Sequence, residues 1–163
     1  MDNSDQKSEK TEVKTLAERL YDAEQLFEER NEKVRQRYNE RRIKDIEASM
    51  KVLDEQGIDY YRRLKMPSMV EGLPVLVVVK KPSSDVYKRY QSRIHRAKKD
   101  KNAVILDTTE IASAAKEVSA SVIVYPDKET FNAMCLEWES LRSSAGFAAI
   151  KLQESEDEEL GNG

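Results

Sequence analysis

Apolar side chains recur every three, four or seven residues along the first third of the chain, as in the a/d seam of an amphipathic helix. Arg30 interrupts this series, and a second series follows it with a shift in phase that resembles a stutter. No Gly or Pro breaks the pattern before Gly57, so we predict one helix over residues 13–56. The first series is Val13, Leu16, Leu20, Ala23, Phe27 and Val34, and the second is Ile43, Ile46, Met50 and Leu53.

Gly57 is expected to end this helix in a Schellman motif, with Ile58 against Leu53. The helix would be roughly 65 Å long, which exceeds the width of a small domain. Part of it should therefore project into solvent or pack on another chain. Two interpretations stay open: a coiled-coil or partner-binding helix, or a helix that lies partly on its own domain and is otherwise solvated. The contacts of the first interpretation would be Leu16, Leu20, Phe27 and Val34.

Residues 57–74 contain Pro67, Gly72 and Pro74, which indicates a connector with one irregular helical turn near residues 59–64. The β-branched run at residues 75–79 is typical of a strand. The other candidate strand is residues 103–106. A two-stranded β-ribbon packed on helices is the expected result.

Four shorter helices are predicted after the ribbon's first strand. Ser83 or Ser84 would cap the first, and an Asp107–Glu110 capping box would start the second. Residues 121–125, at its end, are also compatible with a strand. Asp127 would cap the third helix, and Ser143 or Ser144 the fourth. The expected apolar faces are Val86, Tyr90, Ile94, Ala97; Ile111, Ala114, Ala115, Val118, Val122; Phe131, Met134, Cys135, Trp138, Leu141; and Phe147, Ile150, Leu152.

The predicted fold is therefore mainly α: a long N-terminal helix plus a small helical domain with a short two-stranded β-ribbon. The predicted segments are a disordered N-terminus at 1–12, the charged helix at 13–56, the connector at 57–74, the helical domain at 75–153 and an acidic disordered tail at 154–163.

Charged residues make up 36% of the sequence and hydrophobic residues 39%, with a net charge of -3. Such a near-balanced charge gives no overall attraction to nucleic acid or anionic membrane. The longest apolar run is too short to cross a bilayer and no signal peptide is evident, so a soluble cytoplasmic protein is expected. His95 and Cys135 are the only residues of their types, so we expect no enzymatic activity, metal or cofactor.

A basic run on the first domain helix is a second candidate partner surface. Asp100 is the one acidic residue within it. It could bind an acidic protein, dock the acidic tail of the same chain, or be only the solvated face of a helix. Nucleic acid is less favoured because no aromatic stacking platform accompanies the run. The run extends from Lys88 to Lys101, and its candidate partner contacts are Lys88, Arg89, Arg93, Arg96, Lys98 and Lys99.

Two stretches resemble a known family. Lys80-Lys81-Pro82-Ser83-Ser84-Asp85-Val86-Tyr87-Lys88-Arg89-Tyr90 follows an apolar strand, and Val122-Ile123-Val124-Tyr125-Pro126-Asp127-Lys128-Glu129-Thr130-Phe131 leads into a short helix. A Gly-containing helix around Ser144-Ala145-Gly146-Phe147-Ala148-Ala149-Ile150 then closes the domain. This order resembles the tail assembly chaperones of long-tailed bacteriophages, over about residues 75–152.

The resemblance implies a non-enzymatic chaperone in the host cytoplasm. It would bind the tape-measure protein and the tail-tube subunits during tail assembly. One alternative is a coiled-coil virion structural or scaffold protein that forms homo-oligomers through the N-terminal helix. A second is a nucleic-acid-associated regulator that uses the basic run.

Overall fold

The computed structural model describes residues 13–99 and 108–161 and gives a mainly α protein with a small antiparallel sheet. Its helices and strands are α1 (Leu16–Gln56), β1 (Tyr61–Lys65), β2 (Leu76–Lys80), α2 (Ser84–Lys99), α3 (Thr108–Val122), β3 (Ile123–Tyr125), α4 (Lys128–Glu137) and α5 (Leu141–Gly161). The predicted fold class is thereby confirmed. The predicted disordered N-terminus and the proposed strand at 103–106 lie outside the described residues.

The chain divides into two compact units, Met1–Arg37 and Tyr38–Gly163. The predicted division was a helix at 13–56, a connector at 57–74 and a domain from residue 75, whereas this division falls inside α1. The second half of α1 belongs to the C-terminal unit because Leu53 and Asp45 are buried there, against the sheet.

The N-terminal unit is the first part of α1, and its start is set by a capping box. The Glu18 N–H donates to Thr15 Oγ1 at 3.2 Å, and the Glu18 carboxylate accepts from the Thr15 N–H at 2.7 Å. Two backbone donors that would otherwise lack partners at the helix start are thus satisfied. The helix therefore begins at Leu16 rather than at the predicted residue 13.

The far end of α1 is the predicted Schellman motif. Gly57 has φ of 64°, the left-handed region in which glycine carries no Cβ penalty. The Ile58 N–H donates to Leu53 O at 2.9 Å, and the Gly57 N–H donates to Asp54 O at 3.2 Å. Ile58 packs in the same apolar cluster as Leu53, so the predicted contact is confirmed.

In the part of the chain that the structure describes, the sheet has three antiparallel strands in the order β1-β2-β3, where a two-stranded ribbon was predicted. In the connector, the predicted helical turn near residues 59–64 is instead β1, paired with β2 so that Leu64 lies opposite Val77. Pairing with β2, whose residues 76–79 are buried, outweighs the weak helical pattern of this charged segment. At the other edge, β3 continues directly from α3, which ends at Val122.

β2 is buried on both faces, and its alternation separates two apolar clusters. Val75, Val77 and Val79 pack with α3, α4 and α5. Leu76 and Val78 pack on the other face with Leu53 of α1. Within the C-terminal unit the sheet is therefore a middle layer between α1 and the remaining helices.

Ser83 caps α2, since its Oγ accepts from the Val86 N–H at 3.4 Å, and Asp127 caps α4 as predicted. The Thr130 N–H and hydroxyl both donate to the Asp127 carboxylate, at 3.0 and 2.7 Å, and hold its pKa below the ordinary value. The proposed cap of α3, Asp107, lies outside the described residues.

α5 departs from prediction at both ends. It begins at Leu141, where burial of the Leu141 side chain fixes its first turn, rather than after Ser143 or Ser144. It runs on to Gly161, so the predicted disorder from residue 154 was wrong. The acidic segment is held by an ion pair from Lys81 Nζ to Glu156 at 2.6 Å and by a hydrogen bond from Gln153 to Asp157 at 3.0 Å.

Candidate partner-binding surfaces

The first candidate surface is the apolar stripe on the N-terminal part of α1. We call the a and d positions of its heptads, together with Val13 just before the helix, the α1 seam: Val13, Leu16, Leu20, Ala23, Phe27, Arg30, Val34 and Arg37. The four contacts predicted from the sequence are exposed by 81% (Leu16), 59% (Leu20), 66% (Phe27) and 54% (Val34). The spacing places them on one side of the helix, so the seam is an accessible apolar surface.

The second apolar series on α1 behaves differently. Ile46 and Leu53 pack against the sheet, whereas Ile43 and Met50 are more than half exposed. The face that meets the sheet instead includes the buried polar residues Asp45 and Ser49.

Of the second candidate surface, the basic run of α2, only some side chains are exposed to a partner. Lys88, Arg89 and Arg96 are exposed on the helix surface, as is His95. The side chains of Lys98 and Lys99, in the last turn of α2, lie outside the described residues.

Arg93, the sixth predicted residue of this surface, points to α3. Its Nε and Nη2 donate to Glu110 Oε1 at 2.6 Å and to Ser113 Oγ at 2.9 Å, and its Nη1 lies 2.5 Å from Glu117 Oε1. The hydrogen bond to Glu110 raises the pKa of the guanidinium further. Arg93 therefore joins two helices of its own domain rather than presenting its charge to a partner.

Docking of the acidic tail on the basic run was one of the alternatives left open by the sequence. In the described part of the chain, the acidic end of α5 makes its ion pair with Lys81, just before α2. Tyr87 and Tyr90 of α2 have raised pKa values, first because of burial and then because of the charge of Glu154. These two tyrosines of α2 therefore lie close enough to the acidic end of α5 for its charge to affect their pKa values.

A buried carboxylate, which the sequence analysis missed, joins α1 to two strands. Asp45 Oδ2 accepts from the Val75 N–H at 2.7 Å, and Oδ1 accepts from the Tyr125 hydroxyl at 3.0 Å. Arg41 Nε lies 3.2 Å from Oδ1 and supplies the counter-charge. The Asp45 side chain is only 3% exposed, so these partners replace water around its charge.

The loss of stability caused by Tyr125→Phe, which removes the hydrogen bond to Asp45, is expected to depend on pH. Burial first, then the hydrogen bond and the charge of Asp45, raise the pKa of Tyr125 from 10.0 to about 12. The hydrogen bond's contribution, about 1 kcal/mol, is therefore fully present below pH 10 and is lost as pH rises towards 12.

Urea unfolding of wild type and the Phe variant, from about pH 8 to about pH 12, measures the difference in unfolding free energy. That difference should shrink over the upper part of the range, where Tyr125 ionises. The other tyrosines are common to both proteins, so their ionisation does not contribute to the difference. A difference that stays constant across the range would contradict the assignment.

Within residues 13–99 and 108–161 no cluster of three or more His, Cys, Asp and Glu side chains has metal-binding geometry. Cys135 is half-buried beside the larger apolar cluster, and burial raises the pKa of its thiol. Among the same residues no helix is long and apolar enough to cross a bilayer.

The fold and surfaces thus define a mainly α protein with a three-stranded sheet and an exposed helical seam. No family model, curated protein or solved structure matches the chain.

Proposed function

We propose that the protein is a non-enzymatic assembly chaperone that binds a helical segment of another protein through the α1 seam. The observation that carries the proposal is the exposure of the seam's apolar side chains. Burying each large apolar side chain contributes about 1.5–3 kcal/mol, so four of them can hold a helix.

The proposed partner class follows from the resemblance to tail assembly chaperones of long-tailed bacteriophages. The partner would be the tape-measure protein, with tail-tube subunits recruited afterwards, in the cytoplasm of the host cell. A long helical partner offers many equivalent segments, so several copies bound along it would gain from multivalency. The C-terminal unit, with its own buried core, would then be free to present other surfaces such as the exposed part of α2.

Heptad spacing also favours one alternative, a coiled-coil scaffold or virion component in which the seam pairs with a second copy. The two functions differ in fate: a structural component stays in purified particles in fixed stoichiometry, whereas a chaperone is absent after assembly. The nucleic-acid alternative loses support, because Arg93 is engaged by carboxylates of α3.

Coexpression of the full chain with the tape-measure protein of the same genome tests the proposal. We expect a soluble complex with wild type and loss of it with Leu20→Asp/Phe27→Asp, since two buried charges would cost affinity by more than about tenfold. Gln25→Asp, at an exposed position on the opposite side of α1, is the matched control and should bind normally. Circular dichroism confirms that each variant keeps its helix. An insoluble tape-measure protein, or a complex unaffected by the double substitution, would count against the proposal.

A further inference from the structure

The charges around the α1 seam are unevenly distributed. The helix positions that flank a heptad seam, e and g, together with a and d, form the strip that meets a partner helix. This strip carries four cations and one carboxylate, whereas the remaining face of the same segment carries five carboxylates and two cations. The strip charges are Arg19, Arg30, Lys33, Arg37 and Glu24; those of the other face are Glu18, Asp22, Glu28, Glu29, Glu32, Lys14 and Arg35.

Ion pairing follows the same division. On the outer face Lys14 pairs with Asp22 at 2.6 Å, and Arg35 pairs with Glu32 at 3.1 Å. The four cations of the strip have no ion-pair partner within the described ranges 13–99 and 108–161. Their charges are therefore available to an incoming molecule.

A second copy of the chain is a poor occupant for this strip. A parallel pair of α1 helices would place Arg30 opposite Arg30 and Arg37 opposite Arg37 in successive d layers, which is repulsive. Its compensation, an exposed pair between Arg19 and Glu24 of the other copy, contributes only about 0.2–1 kcal/mol. In an antiparallel pair that overlaps along the whole seam, Arg19 of one copy would instead lie near Lys33 of the other.

We propose that the α1 seam binds an amphipathic helix that carries carboxylates along its own apolar stripe, and this inference rests on the proposed function. The seam has two parts. Its first half, from Val13 to Phe27, is mainly apolar, and its second half has Arg30 and Arg37 around Val34, with Lys33 beside them at a flanking position of the strip. The partner's apolar residues meet the first part, and its Glu or Asp side chains meet the cations of the second.

Two synthetic helical peptides of about four heptads test this charge preference. They share apolar a and d positions and differ only in having Glu or Lys at every e and g position. With the full chain, the Glu peptide should bind at least about tenfold more tightly, because several pairs of about 0.2–1 kcal/mol add. Added salt should reduce the difference.

Charge variants test whether the preference for the Glu peptide over the Lys peptide arises from the cations of the seam. Arg30→Glu/Arg37→Glu should reverse it, and Arg30→Gln/Arg37→Gln should largely abolish it. Lys14→Glu/Arg35→Glu changes the net charge by the same amount on the outer face and should leave it intact. All six substitutions are at exposed positions, and circular dichroism checks that α1 persists.

The outcomes separate this inference from the proposed function. Equal binding of the two peptides would overturn the charge preference but leave the seam as a helix-binding surface. An equal effect of the outer-face variant would also overturn it, by reducing the preference to bulk charge. Self-association of wild type that is blocked by Leu20→Asp/Phe27→Asp would show that a second copy is the occupant. If neither peptide binds, the inference fails, and the proposed function fails with it only if the tape-measure protein also stays insoluble.

Discussion

Gly146→Ala is expected to destabilise the C-terminal unit by about 3 kcal/mol or more, although alanine normally stabilises a helix interior relative to glycine by about 1 kcal/mol. The reason is the close approach of α3 to α5. A Cβ at residue 146 would lie 1.9 Å from the Ala115 carbonyl oxygen and 2.6 Å from its carbon. Both obstructing atoms are backbone, so no side-chain rotation can relieve the clash and the two helices must separate.

Thermal unfolding followed by circular dichroism measures this effect. A loss of 3 kcal/mol in a unit of this size lowers Tm by roughly 10 °C. Ser144→Ala is the matched control, because Ser144 is exposed on the same helix two residues away, and it should change stability by less than about 0.5 kcal/mol. A Gly146→Ala protein as stable as wild type would show that α3 and α5 are not in such close contact.

The helices that meet at Gly146 were predictable, but their closeness was not. The spacing of Ile111, Ala114, Ala115 and Val118 gives α3 and its buried face directly. The small residues Ala145, Gly146, Ala148 and Ala149 of α5 permit a close approach. The helix was nevertheless identified from Phe147, Ile150 and Leu152. Which small residue faces which carbonyl depends on how two segments cross, and helical periodicity carries no information about crossing.

The strands also differ in how far their local sequence predicts them. β2 was predicted to within one residue, because a β-branched run buried on both faces has a strong local pattern. β1 begins at Tyr61, ends at Lys65 and contains two arginines. Of its five residues, only Leu64 packs against the larger apolar cluster. Such a strand exists because β2 supplies its hydrogen-bond partners, so its own composition gives little indication of it.

Of the candidate surfaces, the α1 seam could be predicted from the sequence, because the residues of a surface stripe all belong to one helix and their spacing alone places them on one side. The basic run was identified as a set, but the inward orientation of Arg93 depends on Glu110 and Glu117 from another helix. Asp45 escaped notice because it stands among the charged residues of a long helix, with its partners 30 and 80 residues away in sequence.

Asp45→Ala is expected to cost about 3 kcal/mol of unfolding free energy. It leaves the buried Val75 N–H without its acceptor at 2.7 Å and the Tyr125 hydroxyl without its acceptor at 3.0 Å, and each orphaned buried donor costs about 1–3 kcal/mol. Arg41 is 37% exposed, so its charge can turn to water and adds little to the loss. Asp45→Asn should cost less, because an amide oxygen can still accept from one of the two donors.

Urea unfolding of a double-mutant cycle distinguishes the hydrogen-bond network from a general loss of packing. If Asp45 stabilises the fold through Tyr125, the double variant Asp45→Ala/Tyr125→Phe should be less destabilised than the sum of the single variants, by about 1 kcal/mol. Asp54→Ala, an exposed carboxylate nine positions further along α1, controls for the change of charge and should be nearly neutral. Strict additivity, or an equal loss from Asp54→Ala, would contradict the role of Asp45. A non-additive loss would instead identify this carboxylate as a group that fixes α1 to β3 through the Tyr125 hydroxyl.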